Sequence, residues 1–254
     1  MGVGHTHALY IHEHSAVHRL PPAAKVVAAV GMVVAVAITP REAVWAFLAY
    51  GVIVFVVSRL ARVPIAFVAT RLIAILPFVV FALFIPFIAG GETTSVLGVE
   101  VSVPGLWGAW NIFAKAILGA GVSILLTATT EVPDILRGLG VLRVPALFTS
   151  IAVFMIRYLE LIAGELGRMR TAMTARGYDP RWLSQVRPIA GAAGALFVRS
   201  YERGERVHAA MLSRGFTGVM PRIEHDPMSR GDVISVAFVV VSCLTVSVVA
   251  LVTT

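Results

Sequence analysis

Long apolar runs separated by short polar turns dominate this chain. A hydrocarbon core about 30 Å thick takes about 20 residues of helix. On that scale the runs predict membrane spans at Leu20 to Ile38, Ala43 to Val57, Leu72 to Ala89, Leu106 to Thr129 and Val233 to Val252. The second run is short and, with the first, closes around Thr39-Pro40-Arg41-Glu42 as a tight helical hairpin. Pro77 and Pro86 kink the third span, which neighbouring helices tolerate in a membrane.

A sixth apolar run, Val144 to Ile156, has the look of another span, and the distribution of charge argues against it. Arg59, Arg62 and Arg71 lie between the second and third runs, whereas Gly90 to Gly105 holds Glu92 and Glu100 and no lysine or arginine. Positive loops stay in the cytoplasm, so the first of these connections is inside, the second outside, and the fourth span returns inside. A further crossing after Val144 would carry Arg168, Arg170, Arg176, Arg181, Arg187, Arg199, Arg203, Arg206, Arg214, Arg222 and Arg230 outside, more than half of the 21 basic residues. Residues 144–230 are therefore expected not to cross. The expected organisation is a His-rich cytoplasmic tail (1–19), four spans (20–130), a cytoplasmic or interfacial region (131–231) and a last span (232–254). This is an all-α integral membrane protein with about five transmembrane helices and long amphipathic cytoplasmic helices that cross each other.

Within the non-spanning region, Leu147, Ile151, Met155, Tyr158, Ile162, Leu166, Met169 and Met173 recur at intervals of three and four, the period of a helix. The far side of this helix carries Glu165, Arg168 and Arg176. Gly177 is placed to cap it, and Pro180 prevents its continuation. A second helix runs from about Ser184 to a cap at Gly215. In it Gly191, Ala192, Ala193, Gly194 and Ala195 have almost no side-chain bulk, which suits either a close helix crossing or plain alanine-rich packing.

Both helices end on one signature. Ala172-Met173-Thr174-Ala175-Arg176-Gly177-Tyr178 returns as Ala210-Met211-Leu212-Ser213-Arg214-Gly215-Phe216, identical at Ala, Met, Arg and Gly and alike at the small and aromatic positions. A last-turn arginine gains about 0.3–1 kcal/mol from the helix dipole, and glycine accepts positive φ, so one copy needs no further reason. Two copies point to a duplicated contact, in which the planar guanidinium forks onto carboxylates or carbonyls of a partner. Two copies are too few for a solenoid.

Composition supports the membrane reading: 58% of residues are hydrophobic, only 14% are charged, and mean hydropathy is +0.87. Gly2 to Arg19 is polar and lacks the apolar core of a cleavable signal. Cys243, the single cysteine, excludes an internal disulfide and a thiolate metal cluster. His5, His7, His12, His14 and His18 crowd the first residues; His14 and His18 would share a helix face and are weak metal candidates beside the reading of a solvated tail. Lys115 lies inside the fourth span with Asn111 one turn earlier. A central lysine costs about 2.5–3.5 kcal/mol, so it faces a protein neighbour or polar cavity, or else snorkels from a span whose end lies closer.

The twin triplets Ala175-Arg176-Gly177 and Ser213-Arg214-Gly215 resemble those of the T component, the transmembrane coupling subunit, of energy-coupling-factor uptake transporters, most closely its cobalt-type member CbiQ. The likeness extends through Thr129-Thr130, Arg143-Val144-Pro145, Arg157-Tyr158 and Arg199-Ser200-Tyr201-Glu202-Arg203. It also takes in His18-Arg19-Leu20-Pro21-Pro22-Ala23-Ala24-Lys25, similar to a His-x-Leu-Asp-Pro-x-x-Lys opening with Pro21 in place of Asp. The resemblance implies two crossed coupling helices whose arginines dock into grooves on a pair of ABC-type ATPases. It implies a separate membrane S component, CbiM-like or vitamin-specific, that holds the substrate, and a site in the cytoplasmic membrane of a prokaryote. No cofactor is expected on this chain; ATP and magnesium belong to the ATPases. Lys25 and Lys115, the only lysines, precede Val26 and Ala116, so no phosphate loop Gly-x-x-x-x-Gly-Lys-[Ser/Thr] exists.

Three other classes compete. A self-sufficient permease or channel would show paired intramembrane charges or matching broken helices in two halves, whereas here Lys115 stands alone. An enzyme would need a nucleophile with its base or a metal constellation in the spans. A basic binder of anionic lipid would use the arginines but leave the repeated heptad without a reason.

Overall fold

The computed structural model describes residues 10–11, 13, 15–96, 99–179, 186–218 and 229–253. The chain divides into two compact units, one of residues 5–138 with 226–254 and one of residues 139–225 with 1–4.

The first unit is a helix bundle. A short α1 (Ala16–Arg19) leads into α2 (Pro22–Ile38), which starts with proline at N1, where its missing N–H costs nothing. The turn after Ile38 leads the chain into α3 (Val44–Leu60), and both helices pack against the helices Val103–Thr129 and Arg230–Thr253. Each of these two helices has 17 residues and so rises about 25 Å. Next come α4 (Ile65–Leu72), a 3₁₀ turn (Ile73–Ile75) and α5 (Leu76–Ile88). The third span thus begins seven residues before the expected Leu72 and is broken where Pro77 can neither donate to residue 73 nor clear its carbonyl.

A small antiparallel hairpin, β1 (Thr93–Val96) and β2 (Val99–Ser102), occupies the loop read as outer, with Thr93 opposite Ser102 and Val96 opposite Val99. Then follow α6 (Val103–Thr129), α7 (Val132–Val141) and, at the end of the chain, α10 (Arg230–Thr253). α2 packs against both α6 and α10, and α5 packs against α6.

The core between α2, α3, α6 and α10 is formed by Met32, Val36, Phe47, Tyr50, Leu118, Val122 and Cys243. Cys243 is buried and free, a small apolar filler as its sequence setting suggested. One polar knot ties three helices. The fully buried Tyr50 hydroxyl donates to the Cys243 carbonyl at 3.3 Å and lies 3.0 Å from Thr39 Oγ1, while Thr39 donates to Ala35 O at 2.8 Å.

α7 closes on the start of α2 through Gly138, where a Cβ would stand 2.8 Å from the Ala23 nitrogen and 3.0 Å from the Pro22 carbonyl carbon. Backbone on the far side cannot rotate away. Gly138→Ala is therefore expected to cost about 1–3 kcal/mol, seen as a lower melting temperature of the chain in detergent, whereas Gly140→Ala, with open space around its Cβ position, should melt unchanged.

The second unit contains α8 (Ala146–Ala175) and α9 (Arg187–Leu212). Neither helix buries a single residue. By length and composition four described helical stretches suit a membrane crossing: Ile65–Ile88, Val103–Thr129, Ala146–Ala175 and Gly231–Thr253. α2 and α3 are the shorter apolar pair. Hydropathy alone therefore admits α8 as a span, and only the arginine count led to the expectation that it does not cross.

Candidate coupling site

α8 has 30 residues and extends about 45 Å. Its apolar stripe is left uncovered by the unit itself: Leu147, Ile151 and Met155 are each more than half exposed. α9 has 26 residues and begins with proline at its second position.

The two repeated heptads form the same helix terminus. At the end of α8 the Tyr178 N–H donates to Met173 O at 3.1 Å and the Gly177 N–H to Thr174 O at 2.9 Å. At the end of α9 the Phe216 N–H donates to Met211 O at 3.0 Å and the Gly215 N–H to Leu212 O at 3.0 Å. This is the double bond pattern of the Schellman cap, and it requires a left-handed residue at the glycine position. Gly177 has φ of 80° and Gly215 of 82°. The same cap brings together hydrophobic residues three before and two after the helix end; here they are Met173 with Tyr178 and Met211 with Phe216, all half-buried.

Capping thus explains the methionine, the glycine and the aromatic residue. It does not explain the arginine. Arg176 sits at the C-cap with φ of −89° and ψ of 12°, a conformation open to any residue. Both Arg176 and Arg214 are exposed, and neither has an ion pair or side-chain hydrogen bond among the described residues. Ala175 and Ser213 beside them are also exposed, and the Ser213 hydroxyl turns back to Ala210 O at 2.9 Å.

α8 and α9 are joined by an ion-paired contact at Glu165. Glu165, assigned to the far side of α8, has a side chain only 13% exposed and lies between Arg199 of α9 at 3.2 Å and Arg203 at 3.5 Å. The small-residue patch of α9 is largely open within this unit. Gly191, Gly194 and Ala195 are exposed, Ala192 is half-buried, and a Cβ added at either glycine would meet open space. Small residues permit close approach but cannot compel it. The Glu165 carboxylate links the two helices through arginines one turn apart on α9, and the spacing of Arg199 and Arg203 was its sequence signal.

The segment leading into the bundle is tied down where it is described. The Ile11 N–H donates to Ala128 O at 3.0 Å, and Ser15 is buried. His14 lies outside the described residues. The His18 ring is fully engaged: Nε2 donates to Ile11 O at 3.1 Å, which leaves Nδ1 to accept from Ser15 Oγ at 2.8 Å. Among the described residues no group of three His, Cys, Asp or Glu could hold a metal ion. Burial, and then the charge of Lys25, hold the His18 imidazole below its usual pKa. The folded state therefore favours the neutral ring, so this contribution to stability is complete above about pH 6.5 and fades as pH falls below it. The melting temperature should fall between pH 7 and pH 5, and His18→Gln should flatten that slope.

Lys25 of the same opening motif donates to His18 O at 3.0 Å and to Thr129 O at 2.9 Å, so two stretches distant in sequence meet at one ammonium. Lys115 faces protein, donating to Ala37 O at 2.8 Å; nearby on α6, Asn111 Oδ1 and Trp110 Nε1 are buried without partners among the described residues.

Known proteins resemble this chain over most of its length. The family described as cobalt transport protein, CbiQ, matches residues 13–225. A cobalt transport protein CbiQ of Rhodobacter capsulatus is 30% identical over 63% of this chain and 64% of its own length. An energy-coupling factor transporter transmembrane protein EcfT of Thermotoga maritima is 24% identical over 92% of this chain and 91% of its own. A protein of Methanocorpusculum labreanum described as a fused cobalt transport protein CbiMQ is 26% identical over 45% of this chain, which spans 19% of that longer protein.

Proposed function

The chain belongs to the CbiQ family of cobalt transport proteins, the T components of energy-coupling-factor transporters, and from that membership we propose that it couples two cytoplasmic ABC-type ATPases to a membrane S component. The observation that carries this reading is the pair of identical caps, each presenting an exposed arginine that capping does not require. ATPase closure moves the tips of α8 and α9, and the tie at Glu165 makes the two helices respond together. In this reading nucleotide binding and hydrolysis belong to the ATPases. Its N-terminus is cytoplasmic and its C-terminus outside, the orientation supported by the arginine count.

Cobalt, or nickel, is the proposed solute, supported by the family's description and by the name of the Rhodobacter relative. A vitamin is the alternative; the name of the EcfT relative, which covers more of this chain, states no solute. Purifying the tagged chain from its native membrane tests the whole reading. Two ATPases and one small membrane protein are expected to come with it, and the small protein identifies the solute class. Recovery of the chain alone, with solute flux from it in sealed vesicles, would instead support a self-sufficient permease.

A further inference from the structure

A cavity of about 280 Å³ lies in the bundle where the beginnings of α2 and α10 meet the ends of α3 and α6. Ala29, Met32, Val57, Leu126 and Val239 contribute to its largely apolar wall. One cation is set into that wall. Lys25 is only 8% exposed, and its two carbonyl partners, His18 and Thr129, use two of the three N–H donors of an ammonium. The third has no partner among the described residues. No carboxylate among them forms an ion pair with Lys25; Asp134 acts on it only at longer range and is bonded to Arg137 at 2.6 Å.

A buried charge without a counter-ion is costly, and an apolar cavity excludes water. Hydrocarbon satisfies the wall, and an anion satisfies the lysine. We propose that this cavity binds one anionic phospholipid, an acyl chain lying along the wall and the phosphate taking the remaining N–H and the charge of Lys25. Leu60 and Ser235, which also line the cavity, are exposed and offer the chain a way in. Arg19 and Arg59, next in sequence to the lining residues Leu20 and Leu60, add positive charge at the same end of the bundle. A zwitterionic lipid would fill the wall but not balance the lysine. The proposal uses none of the residues of the coupling tips, so its failure would leave the proposed function intact.

The test is lipid retention by the full-length chain. The protein is stripped in mild detergent and incubated with phosphatidylglycerol, with phosphatidylcholine of the same acyl composition, or with glycerol phosphate, and bound molecules are counted by native mass spectrometry. One phosphatidylglycerol should be retained at least tenfold better than phosphatidylcholine, and glycerol phosphate should not be retained. Lys25→Met should lose the preference. Ala29→Phe, which fills the wall and keeps the lysine, should lose the lipid while a thermal melt confirms folding. Equal retention of the two lipids, retention unchanged by Ala29→Phe, binding of glycerol phosphate as firm as that of the lipid, or no retained lipid would each overturn the proposal.

Discussion

Arg176→Glu combined with Arg214→Glu is expected to leave the chain inserted and folded while its affinity for the ATPases falls at least 100-fold and ATP-driven uptake falls to background. The caps should survive, because their bonds come from backbone and their left-handed residues are Gly177 and Gly215. A glutamate in the last turn opposes the helix dipole by only about 0.3–1 kcal/mol. Losing one partner of a desolvated, hydrogen-bonded charge contact costs about 2–5 kcal/mol, and each 1.4 kcal/mol is tenfold in affinity. Two reversals in two grooves therefore exceed what a moderate complex can absorb, and each single variant should give a partial loss. Arg→Lys at both sites separates this account from lipid binding. A compact ammonium cannot fork, so coupling should weaken, whereas arginines that merely held anionic lipid would be replaced without harm.

Glu165→Lys should have the next largest effect, with a different signature. Its carboxylate provides the cross-helix ion pairs between α8 and α9 among the described residues, and neither helix buries a residue that could compensate. Lysine there would gather three cations. The penalty falls between the about 0.2–1 kcal/mol of an exposed pair and the about 3–5 kcal/mol of a buried one, because the Glu165 side chain is 13% exposed whereas that of Arg199 is 60% exposed and screened by water. Spin labels on Arg168→Cys and Arg206→Cys should show a broadened distance distribution, and uptake should drop at least tenfold. The ATPases should still bind, since both arginine tips remain. Exchanging the charges, Glu165→Arg with Arg199→Glu, should narrow the distribution again.

Much of this architecture was legible because membrane spans and amphipathic helices write their periods plainly into sequence. The duplicated heptad was legible for a further reason: the Schellman cap constrains methionine, glycine and aromatic positions together, so the same geometry writes the same residues twice. What stayed hidden depended on contacts between elements. Glu165 looked like a solvated charge on the far side of α8, and only the approach of Arg199 and Arg203 shows it half-enclosed. The small residues at Gly191 to Ala195 suggested a crossing because glycine and alanine allow one, and within their own unit they are largely open. The hairpin at Thr93–Ser102 was missed because a hydropathy window averages over it, whereas the break at Ile73–Ile75 follows from Pro77. Lys25 was a motif letter until its two carbonyl partners and the cavity beside it were in view.

The central claim is that each arginine tip meets an ATPase, and site-specific crosslinking tests it most directly. A photoreactive residue is placed at position 176 or at position 214 of the chain in its native membrane, and the adducts are identified after illumination. Each position should yield an adduct with an ATPase subunit, both positions together should capture two ATPase copies on one chain, and a probe at the exposed position 191 should capture neither. Adducts with lipid alone at 176 and 214, or ATPase adducts equally strong at 191, would contradict the account.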